Sequence, residues 1–294
     1  MAGKVVPMSE PTPGLRLRLY RIRESLRDSW QALRAQPHED PVFVLGTQKS
    51  GTSAIAGLLG IATGLPAAID LKRDLDYARA PEVAEGRRPF SAFLRRHAAA
   101  FACPIVKEPN LTFLVSFLLG RWPQARLVFV VRDPVQTVRS VLDRLGLPGE
   151  LDRLEPSRLE GLPRSWSAVL DSRWCEHAIA GGDPDRPLFH PVEELARRWR
   201  IAREVARSTQ QARPDRTHLI EYERFRVAKE ASIAALAVQL GLEVRDRDGL
   251  AAAVDRPFQP PGAAAAMPPA RFFGPNLERL ISAAGLDAES EPLP

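Results

Sequence analysis

The sequence predicts an α/β fold in which helices wrap a parallel β-sheet. Short apolar runs that are typical of buried strands alternate along the chain with stretches of helical periodicity. This alternation favours a parallel sheet, because each crossover helix returns the chain to the same edge of the sheet. With 294 residues, of which 45% are hydrophobic and 26% are charged, the chain is long enough for one large domain with a sizeable core.

Four segments are predicted to be strands. The first is 42–45, which is closed by Gly46, and the second is 104–106, which ends at Lys107. The third and most apolar is 127–131, and the last is 218–220. Each is short and bounded by turn or polar residues, as expected for strands buried on both faces.

Helical periodicity follows the strands and also fills part of the sequence between them. Helices are predicted over 50–62, 91–100, 111–119, 135–145, 166–179, 192–213, 225–240 and 277–284. The segment 257–275 is predicted to be a Pro/Ala-rich loop. We therefore divide the chain into an N-terminal extension (1–40), an α/β domain (41–256) and a C-terminal segment (257–294) that packs on the domain.

The N-terminal extension contains apolar residues at helical spacing over 15–33, with arginines between them. A basic amphipathic helix of this kind either lies on an anionic membrane or packs on its own domain with a solvated basic face. The sequence lacks the pattern of a signal peptide, and its longest apolar run, 54–69, is too short to span a bilayer. We expect a soluble cytoplasmic protein, with peripheral membrane contact through 15–34 as an open alternative.

The charge balance favours anionic partners. Forty-one Lys and Arg residues outnumber 36 Asp and Glu residues, and the net charge is +5. Nucleic acid is disfavoured as a partner because no helix-turn-helix, zinc finger or basic–aromatic stripe is present. Two cysteines, Cys103 and Cys175, cannot supply a disulfide framework or a four-ligand zinc site.

The loop between the first strand and the first helix, 46–53, has the features of a phosphate cradle. Gly46 and Gly51 permit tight turns, Lys49 supplies a positive charge, and Thr52 and Ser53 supply hydroxyl donors at the start of a helix. The loop differs from a Walker A motif because its lysine precedes the second glycine. An ordinary Gly/Ser-rich turn with an exposed lysine is the alternative interpretation.

A second group of residues suits another phosphate. Arg132 follows the strand 127–131, at the sheet edge where open α/β sheets bind their ligands. Ser140 is eight residues further on, about two turns into the next helix. The alternative is that Arg132 pairs with Asp133 or another nearby carboxylate.

Taken together, the two elements resemble those of the sulfotransferases that use 3′-phosphoadenosine-5′-phosphosulfate (PAPS). The resemblance covers about 41–243 and implies a P-loop-type three-layer sandwich with a parallel sheet of four or five strands, and no metal cofactor. It assigns the 5′-phosphosulfate to Lys49, Ser50, Gly51, Thr52 and Ser53, and the 3′-phosphate to Arg132 and Ser140. A weaker similarity over 219–242 implies that Tyr222 lies near the adenine.

Sulfuryl transfer needs a cation at the leaving oxygen and a base for the acceptor hydroxyl. Lys49 suits the first role. Small-molecule cytosolic sulfotransferases have Lys-Thr-His where this chain has Lys107-Glu108-Pro109, so Glu108 becomes the candidate base, with Lys107 beside the sulfuryl group. The alternative is that Glu108 caps backbone donors or pairs with Lys107.

Other residues are candidates for an acceptor site. Additional carboxylates are Asp70, Asp74, Glu82 and Glu85; additional cations are Lys72, Arg73, Arg87 and Arg88; aromatic candidates are Trp166, Trp174 and Trp199. The five histidines are expected to be structural or exposed. A carboxylate base favours a glycan or glycolipid acceptor.

The sequence therefore predicts a sulfotransferase that moves the sulfuryl group of PAPS to a hydroxyl of a glycan, glycolipid or other small acceptor and releases adenosine 3′,5′-bisphosphate (PAP). Two alternatives stay open. One is an ATP-dependent P-loop phosphotransferase, which would need a magnesium site. The other is a non-enzymatic protein that binds nucleotide or nucleic acid.

Overall fold

The computed structural model describes residues 35–71, 79–152, 164–256, 258 and 267–286. Its strands form one parallel sheet of five strands in the order β2-β3-β1-β4-β5. The strands are β1 (Val42–Gly46), β2 (Ala67–Ile69), β3 (Ile105–Lys107), β4 (Arg126–Val131) and β5 (Thr217–Glu221). The predicted α/β fold with a parallel sheet of four or five strands is confirmed.

The strand β2 was not among the predicted strands. It has only three residues, Ala-Ala-Ile, and each is only partly buried because β2 is an edge strand paired on one side to β3. A three-residue stretch is too short to show a period of two, so hydrophobic periodicity could not predict this strand.

The helices lie between and after these strands. In chain order they are α1 (Thr52–Thr63), α2 (Ala80–Ala84), α3 (Phe90–Arg96), α4 (Ala98–Phe101), α5 (Val115–Arg121), α6 (Pro134–Arg144), α7 (Arg164–Ser167), α8 (Arg173–Ala180), α9 (Pro191–Ala212), α10 (Tyr222–Val227), α11 (Lys229–Gln239), α12 (Arg247–Ala253), α13 (Pro269–Phe273) and α14 (Asn276–Ala284). Short 3₁₀ helices cover Pro109–Leu114 and Pro214–Arg216.

Five predicted elements differ from the structure. The helix predicted over 166–179 is two helices, α7 and α8, because 168–172 are not helical. The helix predicted over 91–100 is interrupted at His97, between α3 and α4. The helix predicted over 225–240 is two helices, α10 and α11, because the backbone at Ala228 leaves the helical region at φ −137° and ψ 56°. The helix predicted over 111–119 begins as a 3₁₀ turn before α5. The loop predicted over 257–275 contains the short helix α13.

The core occupies both faces of the sheet, as a three-layer sandwich requires. Alternate residues of β1 point to opposite faces: Phe43 and Leu45 join one apolar cluster, and Val42 and Val44 join another that includes residues of α1 and α11. A third cluster packs α13 and α14 against α6 and α9. Full burial of a side chain of this size contributes about 1.5–3 kcal/mol, so β1 anchors both layers.

The strand order places the ends of β1 and β4 side by side. From β1 the chain runs to β2 and then to β3 on one side of β1, and it crosses to β4 on the other side; such a switch point opens a crevice at the carboxyl edge of the sheet. In the register of this pair Gly46 lies opposite Val130. The loop that begins at Gly46 therefore lies beside Arg132.

Several predictions fall outside the described residues. These are the basic helix over 15–34, the candidates Lys72, Arg73 and Asp74, and most of the segment 257–266. Within the part of the chain that the structure describes, none of the helices combines the length and the apolar character that a bilayer crossing requires.

Candidate functional site

The loop between β1 and α1 is held in a conformation that only particular residues permit. Gly46 has φ 140°, and a Cβ at this position would lie 2.5 Å from the carbonyl oxygen of Val130. Lys49 and Gly51 also have positive φ, at 68° and 99°. Left-handed residues that alternate with right-handed ones turn neighbouring N–H groups toward one concavity, which is how anion-binding nests are built.

The amino end of α1 completes this concavity. Gly51 occupies the N-cap position and has no side chain with which to cap the helix. The first N–H groups of a helix have no partner within it, and the helix dipole adds positive potential there. Thr52 and Ser53, the first two residues of α1, line the cavity described below. The loop is therefore suited to bind a phosphate or a phosphosulfate.

Two hydroxyl groups hold the backbone of the β1–α1 loop in place through hydrogen bonds. The Thr112 hydroxyl accepts the Gly46 N–H at 2.8 Å and donates to the Gly46 carbonyl at 2.9 Å. The Ser50 hydroxyl is fully buried and donates to the Thr47 carbonyl at 2.8 Å. Of the loop residues predicted to hold the phosphosulfate, Ser50 alone is absent from the cavity lining among the described residues, so its side chain shapes the loop.

A cavity of about 620 Å³ opens at the carboxyl edge of the sheet. The predicted site residues that line it are Lys49, Gly51, Thr52, Ser53, Lys107, Glu108, Arg132, Ser140 and Tyr222. The fold thus brings into one cavity residues that lie up to 173 positions apart in the sequence, from Lys49 to Tyr222.

Arg132 joins the two predicted phosphate elements. Its Nη1 donates to the carbonyl oxygen of Lys49 at 2.8 Å, and its guanidinium lies 4.8 Å from the ring centroid of Tyr222. The carboxylate of Asp133, the alternative partner, instead caps α6 by accepting the Gln136 N–H at 2.7 Å. Arg132 is therefore held at the cavity by the loop and by an aromatic face.

Positive charge accumulates around Lys49. Burial lowers the pKa of Lys49, and the nearby Arg144 and Arg132 lower the pKa further, whereas Asp143 raises it. Positive side chains that lie close together repel one another, and an anion that binds between them offsets this repulsion. The cavity thus favours an anionic ligand at the lysine.

Glu108 is a buried carboxylate at the floor of the cavity. Its Oε1 accepts the Asn110 N–H and its Oε2 accepts the Leu71 N–H, each at 3.1 Å. Burial raises the pKa of Glu108, and the adjacent Lys107 opposes that rise. Capping of backbone donors, the alternative role, is present, but each carboxylate oxygen keeps a second lone pair. Glu108 can therefore both cap the 3₁₀ helix and accept a proton.

Lys107 and Asp70 form an ion pair beside Glu108. The Lys107 ammonium is nearly buried and pairs with the Asp70 carboxylate. Asp70 has φ 61°, and its N–H donates to the Lys107 carbonyl at 2.9 Å. Both residues line the cavity. Because Asp70 is engaged in this ion pair, Glu108, whose pKa is raised by burial, is the better candidate for the base.

The other acceptor-site candidates mostly lie elsewhere. Glu82 pairs with Arg88, and Glu85 pairs with Arg87. Trp174 and Trp199 are buried in the core, whereas Trp166 lines the cavity.

Sequence reasoning missed several residues of the cavity. These are Gln48, Leu71, Asn110, Gln136, Arg139, Asp143, Arg144, Val169, Phe225, Arg226, Lys229, Arg256 and Phe258. A signal existed for Arg139, which immediately precedes Ser140 in the helix that follows Arg132. Arg226 follows Tyr222 by four residues, one turn along α10, which is a similar signal.

Comparisons with known proteins identify the fold. No protein-family model matches this sequence, and no curated protein sequence matches it significantly. The solved structure of sulfotransferase STF1 from Mycobacterium tuberculosis H37Rv is similar, with a TM-score of 0.50 and 11% identity over 89% of this chain and 80% of that chain. Sulfotransferase STF9 from Mycobacterium avium gives a TM-score of 0.48 and 11% identity, covering 94% of this chain and 83% of that one. A sulfotransferase from Alicyclobacillus acidocaldarius gives 0.42 and 16%, covering 84% and 96%.

The chain therefore has the sulfotransferase fold. That conclusion rests on the first of these similarities, together with the observed five-stranded parallel sheet. The fold expected from the resemblance of the two sequence motifs is confirmed.

Proposed function

We propose that this protein is a sulfotransferase that moves the sulfuryl group of PAPS to an acceptor hydroxyl and releases PAP. The observation that supports this proposal most is that two anion-binding elements line the same cavity. The β1–α1 loop supplies one element and Arg132 with Ser140 supplies the other, and the hydrogen bond from Arg132 to Lys49 connects them. A nucleotide with phosphates at both its 5′ and 3′ positions matches this pair of elements.

The proposed binding mode follows the positions of the side chains. The amino end of α1 and Lys49 hold the 5′-phosphosulfate, because amide N–H groups and a cation converge there. Arg132 and Ser140 hold the 3′-phosphate. Tyr222 contacts the adenosine next to the 3′-phosphate, since its ring lies against the Arg132 guanidinium.

The proposed reaction is an in-line displacement at sulfur. The acceptor hydroxyl oxygen forms a bond to sulfur as its proton moves to the Glu108 carboxylate. The bond between sulfur and the bridging phosphate oxygen breaks, and its electron pair leaves on the 5′-phosphate of PAP. Lys49 and the loop N–H groups stabilise that negative charge. The raised pKa of Glu108 suits a base that works near neutral pH.

We further propose a glycan or glycolipid hydroxyl as the acceptor. Trp166 lines the same cavity as Glu108 and Asp70, so the cavity offers both an aromatic side chain for the apolar face of a sugar ring and carboxylates for its hydroxyl groups. The test is a panel of sulfated-product assays with glycan, glycolipid, steroid and phenol acceptors. Sulfation of steroids or phenols alone would contradict this acceptor class.

Calorimetric titration with PAP in EDTA tests whether the protein binds this nucleotide and whether binding needs a metal ion. We expect metal-free binding that Arg132→Ala weakens by at least about 100-fold, because a charged hydrogen-bonding partner is removed from a desolvated site. Arg245→Ala is the matched control, since Arg245 is exposed, pairs with Glu243 and does not line the cavity. Binding of ATP in a separate titration with magnesium and without EDTA, together with no binding of PAP, would instead favour a phosphotransferase. PAP binding without any transfer to the panel would favour a non-enzymatic nucleotide-binding protein.

A further inference from the structure

A buried arginine that none of the sequence motifs includes lies behind the cavity. Arg198 of α9 is 1% exposed, and its guanidinium lies 4.4 Å from the ring centroid of Phe113 and 4.9 Å from that of Trp174. A fully buried arginine is rare and needs hydrogen-bonding partners for its donors.

The partners of Arg198 are neutral acceptors. Its Nη2 donates to Asn110 Oδ1 at 2.7 Å and its Nε donates to Gln48 Oε1 at 3.3 Å. Its Nη1 lies 2.8 Å from Cys175 Sγ. Gln48 and Asn110 line the cavity, whereas Arg198 lies behind them. The arginine is therefore a support for two cavity side chains.

Arg198 determines which way the Asn110 amide faces. A guanidinium has donors only, so it fixes the amide oxygen, and not the nitrogen, on its own side. Gln48 Nε2 donates to the same oxygen at 2.9 Å. With two donors at Oδ1, the Nδ2 group is turned away from Arg198, and the pull of the guanidinium on Oδ1 polarises the amide and strengthens donation by Nδ2.

Asn110 also lies between the two parts of the proposed reaction. Its backbone N–H holds Glu108 Oε1 at 3.1 Å. Its side chain bonds to Gln48, which precedes Lys49 in the phosphosulfate loop. Asn110 thus contacts both the proposed base and the phosphosulfate loop, and it lines the cavity in which the proposed function places the sulfuryl group.

We propose that Asn110 Nδ2 donates a hydrogen bond to the sulfuryl oxygens of bound PAPS, and that Arg198 is the positioning residue that orients it. This inference rests on the proposed function. Asn110 neither forms nor breaks a covalent bond in the reaction; it stabilises negative charge on the group that is transferred. Arg198 acts through Asn110 and Gln48 and does not contact substrate.

The test compares the affinities for PAPS and for PAP, because PAP lacks the sulfuryl group. Both nucleotides are titrated calorimetrically in EDTA without acceptor. We expect Asn110→Ala to weaken PAPS binding by about tenfold and to leave PAP binding unchanged, as the loss of one hydrogen bond to a charged group predicts. Asn110→Asp is expected to weaken PAPS binding further, because a carboxylate has no donor and repels the sulfuryl oxygens.

Thermal unfolding separates this effect from damage to the fold. Asn110→Asp gives the buried Arg198 a charged partner, so its melting temperature should equal or exceed that of the wild type. Arg198→Lys should also reduce the preference for PAPS, since an ammonium cannot reproduce the fork that reaches Gln48 and Asn110. The matched control is Asn276→Ala, a 3% exposed asparagine outside the cavity lining whose Nδ2 donates to the Gly149 carbonyl at 2.9 Å. It should lower the melting temperature and leave the PAPS-to-PAP ratio unchanged.

The outcomes are distinguishable. One outcome is that the wild type binds PAP and the Asn110 variants keep its ratio of PAPS affinity to PAP affinity. That result would overturn this inference and leave the proposed function standing. Equal weakening of both nucleotides would also overturn it, because a merely structural role predicts that result. A wild type that binds neither nucleotide would overturn the proposed function, and this inference with it.

Discussion

Gly51 is the position where the geometry of the loop makes the sharpest prediction. A Cβ placed there would lie 2.3 Å from both Cδ2 and Cε2 of the Tyr222 ring. Non-bonded carbons are stable at about 3.5–4.0 Å, so the ring would have to retreat by at least about 1.2 Å. Gly51 also has φ 99°, which an L side chain rarely adopts. The substitution Gly51→Ala therefore combines backbone strain with a clash.

The expected cost is the sum of two effects. A non-glycine residue in this backbone region loses about 1–3 kcal/mol. Displacing Tyr222 weakens its contact with the Arg132 guanidinium, which is worth about 0.5–2 kcal/mol. We therefore expect a loss of about 1.5–5 kcal/mol in the free energy of unfolding, or roughly 3–20 °C in melting temperature for a chain of this size. PAP affinity should fall at least about tenfold, because Arg132 loses its aromatic support.

The assay is thermal unfolding with PAP titration on four proteins: wild type, Gly51→Ala, Tyr222→Ala and the double variant. Removing the ring removes the clash but keeps the strain. The double variant should therefore be more stable than the sum of the single effects predicts, since the two residues are in contact. The matched control is Gly120→Ala in α5, where a Cβ would meet nothing within 4 Å among the described residues. It should gain about 0.5–1 kcal/mol from the better helix former. Unchanged stability and PAP affinity in Gly51→Ala would refute the reasoning.

The pKa shifts give two further predictions. Glu108 must be ionised to act as a base, and burial raises its pKa, so the rate of sulfuryl transfer should rise with pH along a limb centred above the ordinary carboxyl value of 4.5. The negative charge of Asp70 raises that pKa as well, so Asp70→Asn should move the limb to lower pH; a limb that moves upward would contradict the assignment of Glu108 as base. Burial raises the pKa of the Cys175 thiol to about 12, so at pH 8 a thiol reagent should modify native protein at Cys103 and reach Cys175 only after unfolding in urea. The reaction is followed by the absorbance of the thiolate that the reagent releases. If the native Cys103→Ser variant reacts, Cys175 is accessible and the prediction is wrong.

The sequence was sufficient to locate the edge of the sheet where the site lies. Two apolar runs that end in Gly46 and Arg132 predict buried parallel strands, and the carboxyl ends of such strands meet at one edge. Their motifs therefore had to be close once the sheet formed. The pairing of β1 with β4, which sets Gly46 opposite Val130, depends on strand order, and local periodicity does not determine that order.

Arg198 shows why part of the site was missed. It lies in the buried stripe of α9 between Leu195, Trp199 and Ala202, where helical periodicity calls for an apolar residue. An arginine in such a stripe implies polar partners somewhere in the interior, so the sequence contained a signal. The identity of those partners, Gln48 and Asn110, depends on contacts across 150 and 88 residues and could not be read from α9 alone.

Backbone strain supports the location of the site independently of any motif. Among the described residues, Lys49 and Asp70 are the non-glycine residues with positive φ, and both line the cavity. Each such residue costs about 1–3 kcal/mol and persists only when its surroundings hold it in place. Arg132 holds the Lys49 carbonyl, and the Lys107 carbonyl and ammonium hold Asp70. Arg132 is also the proposed ligand of the 3′-phosphate, and Lys107 is predicted from the sequence to lie beside the sulfuryl group. In the proposed function, nucleotide binding and support of the strained residues therefore depend on the same side chains.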